Sequence, residues 1–418
     1  PKDSKALKII YVKLDAIGDA IIALDLLDKI HSHYRPCEIT VVCQHHVQDI
    51  YRMMDMELEI IPIEKSKISK DNTYIDPWIQ KLQQNAYDLC LHPTFSRDEF
   101  SDFLVSKIQA KEKIGHYGDA VNRDPSRGRI WDAAYTTLCS QNEIWKSELE
   151  HHQDFLSTLH IEGNVDILAL KADPSLRTAF KQKLDAFFQG QRTEYLAIGW
   201  GAGWDKRRYG RMPEVIKLIQ EEFPQAFGFV FLGSSSEHEA IDNIIQSNNL
   251  QDCLNLAGAT TFQETAAVID LCSLVLGAES SLAHLATALG KRSITLVGGG
   301  HFGRFLPHSH LNALVLRPLH CYYCNWACPY ETTHCIQDIQ PETILESLKS
   351  TINHPEDTQI HLFVDESHQD DIKKPHWVHP SEIVDIHSVQ CHCSKDILTE
   401  CPSSSERPAV IIPSYQRP

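Results

Sequence analysis

The residues best suited by type and spacing to do chemistry are one aspartate, a cluster of cations and a short Ser-Ser-His run, far apart in the chain. Asp19 ends the turn Leu14-Asp15-Ala16-Ile17-Gly18-Asp19. A carboxylate beside a small-residue turn can act as a general base. Asp15 and Asp19 could equally cap a helix, a role Asp favours. The loop GWGAGWDKRRYGRMP, from Gly199 to Pro213, carries Lys206, Arg207, Arg208 and Arg211. Its glycines, Gly201 among them, allow close backbone approach, and its cations can neutralise a diphosphate. A solvated basic loop is the competing reading, set against a strongly acidic chain. In GAESSLAHLATALG, Glu279 precedes Ser280 and Ser281. These serines are good N-caps, and free N–H groups at a helix start suit an anion. His284 would lie on the first turn, within reach of a phosphate, although a lone helix histidine is more often structural. Gly298-Gly299-Gly300-His301 forms another small-residue turn. No G-x-x-x-x-G-K-[ST] occurs, so a P-loop ATPase is unsupported.

Two further groups have metal-ligand character. Cys321, Cys324, Cys328 and Cys335 run C-x2-C-x3-C-x6-C. Four thiolates there could hold a structural zinc or iron, and free thiols in a loop are the alternative. Cys391, His392, Cys393 and Cys401 lie in an acidic, His-rich stretch that reads as a solvated tail. Arg123, Arg127 and Arg129 sit in a Gly, Asp and Pro-bearing loop. They could meet an anionic substrate, but a solvated loop is the simpler reading.

The elements that must position these residues follow from the apolar pattern. Lys8–Val12 is a β-branched and aromatic run, and Ile21, Ile22, Leu24, Leu26, Leu27 and Ile30 recur at helical spacing. Strand, turn and helix make the first half of a βαβ unit, with the turn at the carboxyl end of the strand, where open α/β sheets bind ligands. Strands are expected at Glu38–Cys43, Tyr87–Leu91 and Lys113–Gly115. A second series opens at Tyr195–Gly199 and continues through Gly228–Leu232, Leu254–Leu256, Leu274–Leu276 and Ser293–Val297. Helices are expected between them. The pattern predicts an α/β chain of two doubly wound domains facing across a cleft, with a carboxyl-terminal extension. The expected division is 1–175 and 190–350, then a linker or extension over 351–407.

The chain has 418 residues, with Lys plus Arg 39 against Asp plus Glu 56, a formal net charge of −17. That argues against a general nucleic-acid or anionic-membrane binder. No apolar run is long enough for a transmembrane segment and no signal peptide is visible. Scattered cysteines in apparent core strands fit a reducing cytoplasm, with the inner membrane face as a second location. The sequence opens on Pro1 rather than Met, as an excised piece would.

Taken together, KIIYVKLDAIGDAIIALDLLDKI, AIGWGAGWDKRRYGRMPEVIKLI, GAESSLAHLATALGKRSITLVGGG and the cysteine-bearing CYYCNWACPYETTHCIQDIQPETILESL resemble glycosyltransferase family 9. This is the heptosyltransferase family of lipopolysaccharide assembly, with the GT-B fold of two Rossmann-like domains. The resemblance implies inverting transfer of a sugar from a nucleotide donor such as ADP-heptose, with no cofactor required for catalysis. The acceptor would be a glycan, a lipid-linked saccharide or a protein. Asp19 would be the base, next to Gly18. Gly201, Lys206, Arg207, Glu237, Glu279, Ser280, Ser281 and His284 would bind the donor, Glu237 near the ribose. Arg207 stands where the family has Lys. Glu279-Ser280-Ser281 stands where it has Asp-[Thr/Ser]-Gly, a departure compatible with a different donor sugar or with an inactive docking module. Another nucleotide-sugar enzyme, such as an epimerase, is a further alternative. Some relatives carry an iron-binding cysteine finger. PAVIIPSYQRP, from Pro408 to Pro418, resembles the opening strand of a family 2 glycosyltransferase, so a second transferase domain is expected to begin there.

Overall fold

The computed structural model describes residues 6–365, apart from 69–72, 120, 128, 140–145, 193, 202–204, 320 and 329, together with the backbone of 125 and 389–392. The chain forms two parallel sheets. The first is six-stranded: β1 Leu7–Lys13, β2 Cys37–Gln44, β3 Glu59–Ile63, β4 Ala86–His92, β5 Gln109–His116 and β6 Thr137–Cys139, in the order β3-β2-β1-β4-β5-β6. The second is eight-stranded: β7 Glu194–Gly199, β8 Phe227–Phe231, β9 Cys253–Asn255, β10 Leu274–Ala278, β11 Arg292–Val297, β12 Asn312–Leu316, β13 Ile360–Val364 and β14 Val389–His392. Its order is β14-β13-β12-β11-β10-β7-β8-β9. The innermost strands, β1 in the first sheet and β10, β11 and β12 in the second, are buried on both faces over nearly their whole length, as parallel sheets covered by helices require.

The expected strands all form, and five more join them: β3, β6, β12, β13 and β14. β3 contains Pro62, whose missing N–H is tolerable because β3 is the edge of its sheet. β12 reads NALVL, too short a run to announce itself. β13, IHLFV, is wholly buried and pairs in parallel with β12. The second sheet therefore continues past the boundary expected at 350. The acidic, His-rich surroundings gave no sign of a core strand there. Cys393, Cys401 and the 408–418 segment lie outside the described residues, as do the side chains of Cys391 and His392.

Each sheet has one point where strand order reverses. In the first it falls between β1 and β4, in the second between β7 and β10. Loops diverge there and leave a crevice at the carboxyl ends of the strands. The crevice of the second sheet is floored by glycine on both sides: Gly199 and Gly277 are directly paired, and a Cβ on Gly277 would lie 2.1 Å from the Gly199 carbonyl oxygen.

The helix Pro174–Phe187 falls in the expected boundary region. It starts on an Asp173 cap and packs on the helix Phe262–Leu271, so it belongs to the second lobe. The lobes meet where the helix Ile17–Ile22 lies against the helix Ser281–Ala288. Ile21 and Ala20 join Leu285 and Ala286 in one apolar cluster that runs through both lobes.

Gly277→Ala is expected to force β7 and β10 apart and to destabilise the protein by about 1–3 kcal/mol, as overpacking does. A lowered urea midpoint with an unchanged m-value would record it.

Candidate functional site

The first lobe's crevice is built around a buried ammonium. β1 ends on Lys13, whose side chain is 2% exposed and 2.7 Å from Asp15 Oδ2. Thr94, on the loop after β4, donates to the same oxygen at 2.6 Å. Gln44 donates to the carbonyls of Leu14 and Asp15 at 2.9 and 3.1 Å, which fixes the turn. Burial works against the Asp15 carboxylate, but the Lys13 ammonium and these hydrogen bonds hold its proton affinity down, at about 2. Neither aspartate caps the following helix; its N-cap is Ala16, with no side-chain bond.

Asp19 sits in the first turn of that helix and is partly buried. Removal from water raises its pKa to about 7, helped by the negative charges of Asp15 and Glu148 and opposed by Lys13 and Arg304. A carboxyl so tuned changes protonation near neutrality, which suits a general base. Behind it, burial keeps His152 uncharged, with its pKa lowered to about 3, and His116 uncharged as well.

The second lobe places its candidates around the β7–β10 crevice. Glu237 accepts from the Ser234 N–H and hydroxyl, each at 2.7 Å. Its other oxygen lies where a Cβ on Gly201 would be, so only glycine fits against it. Arg207 stacks over Trp326, 4.5 Å from the ring centroid, and faces Glu279. Burial raises the Glu279 pKa to about 7, and Arg207 opposes it. Glu279 Oε2 and Ser280 Oγ are buried with no partner among the described residues. Ser280 is the N-cap residue of the helix Ser281–Ala288, but its side chain makes no cap bond, contrary to the role expected of it. His284 turns toward the seam. Its Nδ1 is 2.8 Å from His308 Nε2, and a Cβ on Gly18 would meet its ring at 2.7 Å. Asp19's turn and the second lobe's helix start thus face one another across the seam.

Other cations fall away from the crevice. Arg208 pairs with Asp205, and Arg211 with Glu214 and Gln340. In the first lobe Arg97 and Arg123 pair with Asp102 and Asp132, and Arg129 with Asp132. Arg127 pairs with Glu99. The arginine loop is therefore an internal ion network, neither an anion cradle nor simply solvated.

Cys321, Cys324, Cys328 and Cys335 line one small cavity with Tyr322, Trp326 and His334. No group of three or more His, Cys, Asp or Glu among the described residues is arranged to hold a metal ion. Burial and the neighbouring thiols raise Cys321 to about 11; burial likewise raises Cys335, to about 12. Tyr323, Asn325 and Trp326 all have positive φ, at 68°, 48° and 59°. The strained segment grips the glycine turn after β11: Tyr323 N–H donates to the Gly299 carbonyl at 2.6 Å, and Trp326 covers Gly298 and Gly300.

Lys13, Glu148 and Arg304 are the neighbours of Asp19 that motif reading passes over. Lys13 was visible as a lone charge closing an apolar strand. Glu148 lies within the capping box Ser147-Glu150, a start signal for its helix. Arg304 carries no local signal. Lys13→Met should cost about 3 kcal/mol by leaving Asp15 unpaired. The Asp15 pKa falls on folding, so the pair's contribution is present above the ordinary value of 3.8 and is lost as pH falls through about 2. Urea unfolding of both proteins at pH 7 and at low pH would register the difference and its decline.

Comparison with known proteins follows this geometry. The profile of glycosyltransferase family 9 (heptosyltransferase) matches residues 78–333, more than half the chain. Lipopolysaccharide heptosyltransferase 2 of Salmonella typhimurium is 28% identical over 369 residues, covering 83% of this chain and 99% of that protein. Among solved structures, a glycosyl transferase family 9 protein from Veillonella parvula aligns with a TM-score of 0.66 at 13% identity, over 83% of this chain and 97% of that one. E. coli ADP-heptose lps heptosyltransferase II aligns with a TM-score of 0.62 at 18% identity, over 84% and 100%. The structural likenesses establish the GT-B fold, two doubly wound lobes across a cleft. With the profile spanning both lobes, the chain belongs to glycosyltransferase family 9.

Proposed function

We propose that this glycosyltransferase moves a heptose-type sugar from a nucleotide-diphosphate donor, ADP-heptose or a close analogue, to a saccharide acceptor, with inversion at the anomeric carbon. The relatives' names, lipopolysaccharide heptosyltransferases and one ADP-heptose enzyme, support the donor class and a surface-glycan acceptor, lipid-linked or protein-borne. The observation that carries the reading is the opposition of Asp19 to the donor crevice across the Gly18–His284 contact.

In this mechanism Asp19, ionised, takes the proton from the acceptor hydroxyl as its oxygen attacks the anomeric carbon. The diphosphate departs from the opposite face. Arg207, with Lys206 beside it, and the backbone N–H groups at Ser281 would balance its charge. Glu237 would hold the ribose side and Glu279 a sugar hydroxyl. The longer Glu279 and the loss of the family's Gly reshape the sugar pocket, which can shift sugar preference. The inactive-module alternative has that same departure in its favour. Against it, Glu279 Oε2 and Ser280 Oγ are buried without a hydrogen-bond partner among the described residues, as groups kept for a ligand would be.

Asp19→Asn should abolish sugar transfer while ADP binding, measured by calorimetry, and the unfolding midpoint stay close to wild type. Normal turnover by this variant would remove the base assignment. Wild-type protein that neither hydrolyses nor transfers from any nucleotide sugar would favour the docking module.

We further infer that the four cysteines hold one structural zinc or iron. The ligand set is all-sulfur and clustered at one cavity, and a bound cation would favour the thiolate forms that burial otherwise disfavours there. The metal would draw the thiols together and brace Trp326 under Arg207; no catalytic step runs through it. Elemental analysis of protein purified without chelator should find about one metal per chain; metal-free protein would refute this. The ten cysteines among the described residues form no disulfide, which supports a reducing cytoplasmic setting. None of the helices among the described residues is long and apolar enough to cross a membrane. Action at the inner membrane face would therefore rest on surface contacts.

A further inference from the structure

Arg304 belongs to the donor lobe, on the turn that follows Gly298–Gly300, yet its partners lie in the acceptor lobe. Its Nε donates to Glu148 Oε1 at 2.6 Å, and a terminal nitrogen donates to Ser96 Oγ at 2.8 Å. Asp119 is 3.7 Å away, and the guanidinium lies 5.5 Å from the Phe95 ring centroid. The clasp is reciprocal: the Glu148 N–H donates to the Arg304 carbonyl at 2.8 Å. Glu148 is 4% exposed, at the start of the helix Glu148–Thr158.

The groups facing Asp19 come from every element around it. Lys13 and Asp15 come from β1 and its turn, Tyr51 from the helix Gln48–Tyr51, Glu148 from its helix and Arg304 from across the seam. Uncharged His284 lies against the neighbouring Gly18. Without the Arg304 guanidinium, Asp15 and Glu148 would both oppose a third carboxylate charge at Asp19, and Lys13 is already engaged by Asp15. A buried acidic cluster short of one cation takes up a proton.

We propose that Arg304, reaching across the seam, is a positioning residue for Asp19. Seated on Glu148, it keeps that carboxylate compensated beside the base, so the donor lobe supports the ionised form of a base that belongs to the other lobe.

The inference rests on Asp19 as the base, and its test is independent of any acceptor. Full-length protein with 13C-labelled Asp carboxyls is titrated by NMR in the presence of ADP, and the Asp19 resonance is identified by its loss in Asp19→Asn. Arg304→Gln should raise the Asp19 midpoint by about half a pH unit or more. Glu148→Gln should not raise it, and Arg304→Gln combined with Glu148→Gln should return most of the way to wild type. Arg304→Lys, which retains the charge, should stay near wild type and covers the case in which Arg304→Gln folds poorly. A merely structural Arg304 predicts that the double variant is no closer to wild type than the single one. No rise in Arg304→Gln, or no recovery in the double variant, overturns the proposal. The base assignment fails separately, if Asp19→Asn retains turnover.

Discussion

One buried cation governs the working edge of the first lobe. Lys13 ends β1 with almost no exposure, and an ammonium in that position requires negative partners. Asp15 meets it directly, while Glu148 and Asp19 lie within its field. The arrangement divides the acids by environment. Asp15, in contact with the ammonium and Thr94, holds its charge firmly; Asp19, one turn further on and partly withdrawn from water, is poised near neutrality. Two carboxylates four positions apart thus acquire different chemistry from the same local charge.

The second constraint is steric. Both crevices lie at points of strand reversal, and both depend on missing side chains. Gly199 and Gly277 face each other on the floor of the donor crevice, Gly201 yields to Glu237, and Gly18 yields to His284. The last of these lets two lobes approach closely enough for Arg304 to reach Glu148. An apolar cluster common to both lobes supports that approach, so the cleft is continuous with the core.

The cysteine segment extends this logic to the donor side. Its left-handed residues hold Trp326 and Tyr322 against the glycine turn after β11, and Trp326 in turn carries Arg207. An aromatic face is a good support for a guanidinium, since it leaves the outward N–H groups available to an anion. A segment without regular secondary structure over most of its length therefore bears on the placement of the cation that faces Glu279.

Much of the fold was readable from sequence because parallel strands buried on both faces must be apolar runs, and amphipathic helices must show their period between them. Lys8–Val12 with the helical spacing after Ala20 sufficed for the first βαβ unit, and the glycine-bearing turns marked strand ends where ligands bind. β3 escaped notice through Pro62, and β13 through its polar surroundings, since edge position and burial are relations to distant strands. The same limit applies to the site. The sequence by itself determined that a carboxylate, cations and a Ser-Ser-His run would stand at strand ends, because turn chemistry is local. Only the tertiary structure decided that Arg123 is taken up by Asp102, that Arg127 meets Glu99, and that Arg304 crosses to Glu148. Charge pairing depends on distance in space, and residues far apart in the chain become neighbours only when each lobe folds and the two lobes meet.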